Sequence, residues 1–163
     1  MNKVKLVLDP TFNEPSFFNH ILFDDKYIYI IQDLYLKDGL NGSHEGTYLT
    51  NKFLDGSQNK MTNFLIAQRN KVTLFCQSYG INIYDNFVFN VFCYNSSLTV
   101  PKSLKKKEFG EWLLPLNELI KTIKISENDD VKSIRQEQMQ SLLEIIKKDS
   151  DSTKSFKNAN LIK

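Results

Sequence analysis

Val72-Thr73-Leu74-Phe75-Cys76-Gln77-Ser78-Tyr79-Gly80-Ile81-Asn82-Ile83-Tyr84-Asp85-Asn86-Phe87-Val88-Phe89-Asn90-Val91-Phe92-Cys93-Tyr94 is the stretch on which the fold turns. Tyr79-Gly80 and Asp85-Asn86 punctuate it, so Val72–Ser78, Ile81–Tyr84 and Phe87–Tyr94 read as three strands of a β-meander. In the last run Phe87, Phe89, Val91 and Cys93 alternate with Val88, Asn90, Phe92 and Tyr94, the period-two pattern of a strand.

Working upstream, Gln58–Gln68 reads equally well as a short helix with Met61, Phe64 and Leu65 inward or as a strand. Residues 37–56 hold four of the six glycines, in Asp38-Gly39, Asn41-Gly42-Ser43, Gly46 and Asp55-Gly56. That density of turn signals predicts an extended loop with a short edge strand at Thr47–Leu49. Tyr27–Leu36 and Phe17–Phe23 form a predicted hairpin around Asp24-Asp25-Lys26, and Lys3–Leu8 is a first strand. Tyr27, Tyr29, Ile31 and Tyr35 fall on one face of the longer run, and Ile28, Ile30, Leu34 and Leu36 on the other. A strand apolar on both faces is central and covered on both sides.

Downstream, Asn95–Lys107 is a polar, lysine-rich connection. Leu116, Leu119, Ile120 and Ile123 have helical spacing after Pro115, and a second helix is predicted from about Asp129 to Lys148. The expected fold class is therefore α+β: about six antiparallel strands with a meander, packed against two C-terminal helices. Residues 1–149 are expected as one globular domain and 150–163 as a polar, frayed tail.

The 163 residues are 41% hydrophobic and 25% charged, with twelve Phe and seven Tyr, a composition that builds a core. No apolar run approaches the roughly 20 residues that cross a bilayer, and Met1–Leu8 is too short for a signal peptide. The expectation is a cytoplasmic chain without membrane contact. Residues 1–100 carry 8 basic and 9 acidic side chains and residues 101–163 carry 13 and 10, so the +2 net charge sits in the C-terminal part. Only Arg69 and Arg135 are arginines, which lowers the case for base-reading chemistry.

Catalytic and metal motifs are scarce. Cys76 and Cys93 lie in apolar runs and read as free buried thiols. His20 and His44 belong to no HExxH or CxxC pattern, and Gly39, Gly42 and Gly46 lack the order of a phosphate loop. Ser43-His44-Glu45 could orient a histidine base, but residues adjacent in sequence seldom converge on one point. Lys102, Lys105, Lys106 and Lys107 read as a solvated linker, or alternatively as a phosphate contact. No catalytic residue, metal or cofactor is assigned. What remains is a surface: Asp24, Asp25, Asp38, His44, Glu45, Tyr48 and Asp55 form an expected acidic, aromatic-bearing partner site.

Ile81-Asn82-Ile83-Tyr84-Asp85-Asn86-Phe87, between two apolar runs, and then Phe109-Gly110-Glu111-Trp112-Leu113-Leu114-Pro115-Leu116 resemble the later half of some bacterial immunity proteins of contact-dependent growth inhibition systems. The resemblance spans about Val72 to Ile123. Gly110 stands where a serine is expected, and the pI of about 8.4 departs from the acidity frequent in immunity proteins against basic nucleases. The resemblance implies a non-enzymatic inhibitor that binds and neutralises a cognate toxin domain, often a nuclease. The alternative is a nucleic-acid-binding module using the aromatic sheet and the lysine cluster.

Overall fold

The computed structural model describes residues 4–8, 20–23, 27–81, 88–107, 110–126, 134–149 and 156–159. The chain is α+β, built on two mixed sheets. Strands β1 (Val4–Leu8), β2 (His20–Phe23) and β3 (Ile28–Leu34) run antiparallel to one another. β3 then pairs in parallel with β7 (Val88–Tyr94), and β7 in parallel with β10 (Glu111–Pro115). β11 (Phe156–Ala159) closes the β1 edge and β9 (Lys106–Lys107) the other, giving the order β11-β1-β2-β3-β7-β10-β9.

A parallel pair cannot be joined by a tight turn. The crossover from β3 to β7 carries the second sheet, β4 (Asp38–Asn41), β5 (Tyr48–Lys52) and β6 (Gln58–Thr62), and then helix α1 (Phe64–Ser78). β8 (Leu98–Thr99) joins that sheet beside β4. Helix α2 (Lys102–Lys105), helix α3 (Leu116–Ser126) and helix α4 (Ile134–Asp149) complete the described chain.

Several expectations are corrected. The sheets are mixed, with eleven strands among the described residues, where about six antiparallel strands were expected. There is no meander around β7, whose neighbours β3 and β10 are both parallel to it. Val72–Ser78 is the C-terminal half of α1, and residues 82–87, the centre of the expected meander, lie outside the described residues. The misreading has a physical source. Leu65, Gln68, Val72, Phe75 and Cys76 make one buried helical stripe, but Gln68 interrupts its apolar half, so the β-branched and aromatic remainder resembles a strand. Gln58–Gln68, open as helix or strand, is both: β6 followed by the start of α1, with Asn63 as the cap between them.

The loop expected at 37–56 folds into strands, since Gly42 and Gly56 have the positive φ their turns require. In the expected tail, Phe156–Ala159 pairs with Val4–Val7 as β11. β2 and β3 pair antiparallel as expected, but the described residues hold four helices where two were expected: α1 and α2 precede α3 and α4.

The core lies on both faces of the large sheet, which accounts for the two apolar faces of β3. Ile21, Ile28, Ile30 and Val88 pack against Val72, Phe75 and Cys76 of α1 and Leu143 and Ile146 of α4. On the opposite face Leu22, Tyr29, Ile31, Val91 and Leu114 meet Leu119 and Ile123 of α3. A third cluster, with Leu40, Leu49, Phe92, Leu98 and Leu113, joins the two sheets. Among the described residues no helix is long and apolar enough to cross a membrane.

Trp112 stacks on Phe89 at 4.5 Å between ring centroids, and Phe89 on Tyr29 at 5.2 Å. Gly110 makes this possible. Its φ is 72°, and a Cβ there would come within 2.6 Å of the Phe89 ring. A serine at this position is therefore incompatible with the stack. Gly110→Ala should destabilise the protein by about 2–4 kcal/mol, from left-handed strain and overpacking together. Urea unfolding measures it, and a loss under about 0.5 kcal/mol, the range of neutral surface changes, would contradict the stacking account.

Candidate functional site

The turn between β4 and β5 is held by groups far away in sequence. Asn63, the N-cap of α1, accepts the Leu65 N–H through Oδ1 at 3.0 Å. Its Nδ2 donates to the carbonyls of Ser43 at 3.0 Å and Gly46 at 2.6 Å. The backbone of the turn thereby gains partners that a bare loop would seek from water.

His44, in that turn, is buried. Its Nδ1 lies 2.7 Å from Glu111 Oε1 and its Nε2 lies 2.9 Å from the Leu104 carbonyl oxygen. Both ring nitrogens therefore lie within hydrogen-bond distance of protein oxygens. Glu111 also accepts from Arg69, Nε to Oε2 at 2.8 Å and an Nη to Oε1 at 2.9 Å, a two-pronged pair. Arg69 continues to the His44 carbonyl at 3.2 Å and to Glu45 at 3.2 Å. Arg69 and His44 thus converge on Glu111 and tie the β4–β5 turn, α1 and β10 together. Burial pushes the Glu111 carboxyl up, but hydrogen bonds from Arg69 and His44 outweigh it, and the group is held below the ordinary carboxylate value.

This arrangement is a clamp. His44 pairs with Glu111 on β10, and its sequence neighbour Glu45 pairs with Arg69. Both ring nitrogens of His44 are engaged by protein oxygens.

The other expected partner residues are dispersed. Asp24 and Asp25 lie outside the described residues. Asp38, at φ 67°, accepts the Leu54 N–H at 3.2 Å. Asp55 accepts from the Ser57 hydroxyl at 2.6 Å and the Ser57 N–H at 2.8 Å in the β5–β6 turn. Those two bonds hold its carboxyl below the ordinary range. Tyr48 is half exposed, with Lys60 Nζ 4.0 Å from its ring centroid. Of the expected acidic face, Glu45 and Asp55 are exposed, Glu45 paired with Arg69 and Asp55 bonded within its own turn, and Asp38 is half-buried.

A second polar group sits toward the carboxyl ends of β3 and β7. His20 Nε2 lies 3.0 Å from Asp33 Oδ2, which also accepts from the Tyr35 hydroxyl at 3.3 Å. Cys93 is the register partner of Asp33, and burial together with the Asp33 charge pushes its thiol up to about 11. Burial pushes Cys76 up to about 12. A thiol held protonated at neutral pH is a poor nucleophile. Among the described residues no group of three or more His, Cys, Asp or Glu is placed to hold a metal ion.

The aromatic platform expected for nucleic acid is closed over by α3, with Tyr27 and Tyr29 buried and Phe89 and Trp112 half-buried. Sequence reasoning had no means of finding the clamp. Arg69 and Glu111 stand far from His44 in the chain, and the one available signal was the rarity of arginine. Comparison with protein-family models, with curated proteins and with solved structures found no match.

Glu111→Gln should lower stability at neutral pH by about 2–3 kcal/mol, because it leaves the half-buried Arg69 guanidinium without its two-pronged carboxylate partner. The folded-state carboxyl is depressed, so its contribution is full above the ordinary value of 4.5 and is lost as pH falls through the lowered value. Urea midpoints across this acid range should fall more steeply for the native chain than for Glu111→Gln. Parallel curves would remove the clamp as a source of acid sensitivity.

Proposed function

We propose that this chain acts by binding, as an immunity protein that neutralises a cognate toxin domain, with the outward face of the β4–β5–β6 sheet as its contact surface. The carrying observation is the character of that face. β5 alternates buried Leu49 and Asn51 with outward Tyr48, Thr50 and Lys52, and the register sets Thr62, Lys60 and Gln58 of β6 directly beside them. Tyr48, Lys52, Gln58, Lys60 and Thr62 are exposed, and Leu54 at the hairpin tip is 91% exposed. These positions carry two lysines and no carboxylate, while Asp38, Glu45 and Asp55 are spent on turns and on Arg69.

The reading is supported by the surplus of open surface over open chemistry. His44 is clamped on both ring nitrogens and both thiols are held protonated, whereas a rigid sheet presents hydroxyls, amides, an aromatic ring and lysines to solvent. Such a face recognises an acidic surface on its partner, the reverse of the acid-to-base complementarity expected from the loop composition. Neutralisation by occlusion asks for about 1,200–2,000 Å² of total buried surface, which the sheet face and hairpin tip would nucleate.

The same two lysines and Tyr48 favour a second reading, a nucleic-acid-binding module working from this face and not from the aromatic stack. Charge reversal separates the two. Co-purification with the toxin domain encoded beside this chain, together with protection of cells expressing it, is the expected result. Lys52→Glu with Lys60→Glu should weaken that complex at least tenfold. A chain that neither binds nor protects would sink the immunity reading. Salt-sensitive retention of a single-stranded oligonucleotide, lost in the same double variant, would establish the second.

A further inference from the structure

Helix α1 lies on the large sheet in a regular ladder. Phe64 packs on Phe92 with ring centroids 5.0 Å apart, and two turns later Val72 joins Val88 in the same buried cluster. Gln68 stands midway between Phe64 and Val72 on the helix, and Asn90 midway between Phe92 and Val88 on β7. One helical turn rises about 5.4 Å and two strand residues advance about 6.7 Å, so matched spacing sets both amides in the interface between α1 and β7. Both are more than nine-tenths buried. Gln68 Nε2 and both Asn90 amide atoms have no hydrogen-bond partner among the protein groups. The donor and the acceptor face one interface without bonding to each other.

Leaving such groups unpaired costs about 1–3 kcal/mol each, and folded proteins relieve the cost with a small polar guest. The register places Asn90 beside Glu111 and Ile30 on neighbouring strands. We propose that Gln68 and Asn90 form a buried water-binding site between α1 and the sheet, which links the amide pair to the Glu111 carboxylate. The chemistry of the walls selects the guest. The Glu111 charge is already met by the two-pronged Arg69 pair, so a cation would find no uncompensated carboxylate and an anion no spare cation. The guest must donate to Asn90 Oδ1 and accept from Gln68 Nε2 and Asn90 Nδ2, in a space bounded by apolar rungs above and below. A neutral molecule that both donates and accepts, small enough to lie within a helix–sheet interface, is water.

The site gives the interruption of the α1 stripe a purpose: it fixes the register of the helix on β7 and stands beside the clamp that Arg69 makes one residue further on. Water–protein cross-relaxation on the full chain tests it directly. Long-lived water cross-peaks to the side-chain amide protons of Asn90 and Gln68 are expected, and their absence, or a direct amide–amide hydrogen bond, would overturn the site. A thermodynamic cycle supplies the second readout. Asn90→Leu and Gln68→Leu should each lower Tm by leaving the other amide stranded, while the double variant recovers much of the loss. Strictly additive losses would overturn the linked site even if each variant folds.

Discussion

Parallel pairing of β3 with β7 is the constraint on which the rest of the structure depends. Two parallel neighbours must be joined by a crossover that leaves one end of the sheet and re-enters at the other. Here the crossover is itself a folded unit: a small sheet, a capped helix and the residues that lead back to Val88. The second sheet exists because the first cannot be closed by a hairpin at that point. Its position is then set by Glu111, which stands next to β7 on β10 and draws both the β4–β5 turn and α1 onto the large sheet.

The clamp and the buried amide rung work on the same surface of α1. Arg69 reaches Glu111 from α1, and Gln68 and Asn90 are buried in the helix–sheet interface. Polar groups placed inside a helix–sheet interface contribute less to net stability than apolar ones of the same size, but they distinguish one register from its neighbours. Phe64 on Phe92 alone would tolerate a slip of one turn; the amides and the ion pair would not. A surface used for binding benefits from this, because the β4–β6 face is carried on the same crossover and inherits its rigidity.

Charge shows how context reassigns residues. The acids of the 37–56 region look like a recognition surface when counted along the chain. In three dimensions Asp55 closes a hairpin, Asp38 receives a backbone N–H and Glu45 pairs with Arg69. Tyr48, Lys52 and Lys60 face outward on the sheet, while Glu45 and Asp55 stay exposed at its turns. The stacked aromatics were equally visible in composition, and equally reassigned, from an open platform to a core beneath α3.

Local pattern determined the elements whose signals need no distant partner. The alternation in 88–94, the two apolar faces of Tyr27–Leu36, the β2–β3 hairpin and the helical spacing after Pro115 were legible because side-chain period reports which faces are buried. The α+β class followed from them. Tertiary structure alone decided that Val72–Ser78 is helical, since a stripe broken by buried Gln68 reads as helix only once its packing on the sheet is known. It alone decided parallel against antiparallel order, which depends on where a crossover goes. And it alone brought Glu111 to His44 and Arg69, because an ion pair between residues far apart in the chain leaves no periodic mark on any of them.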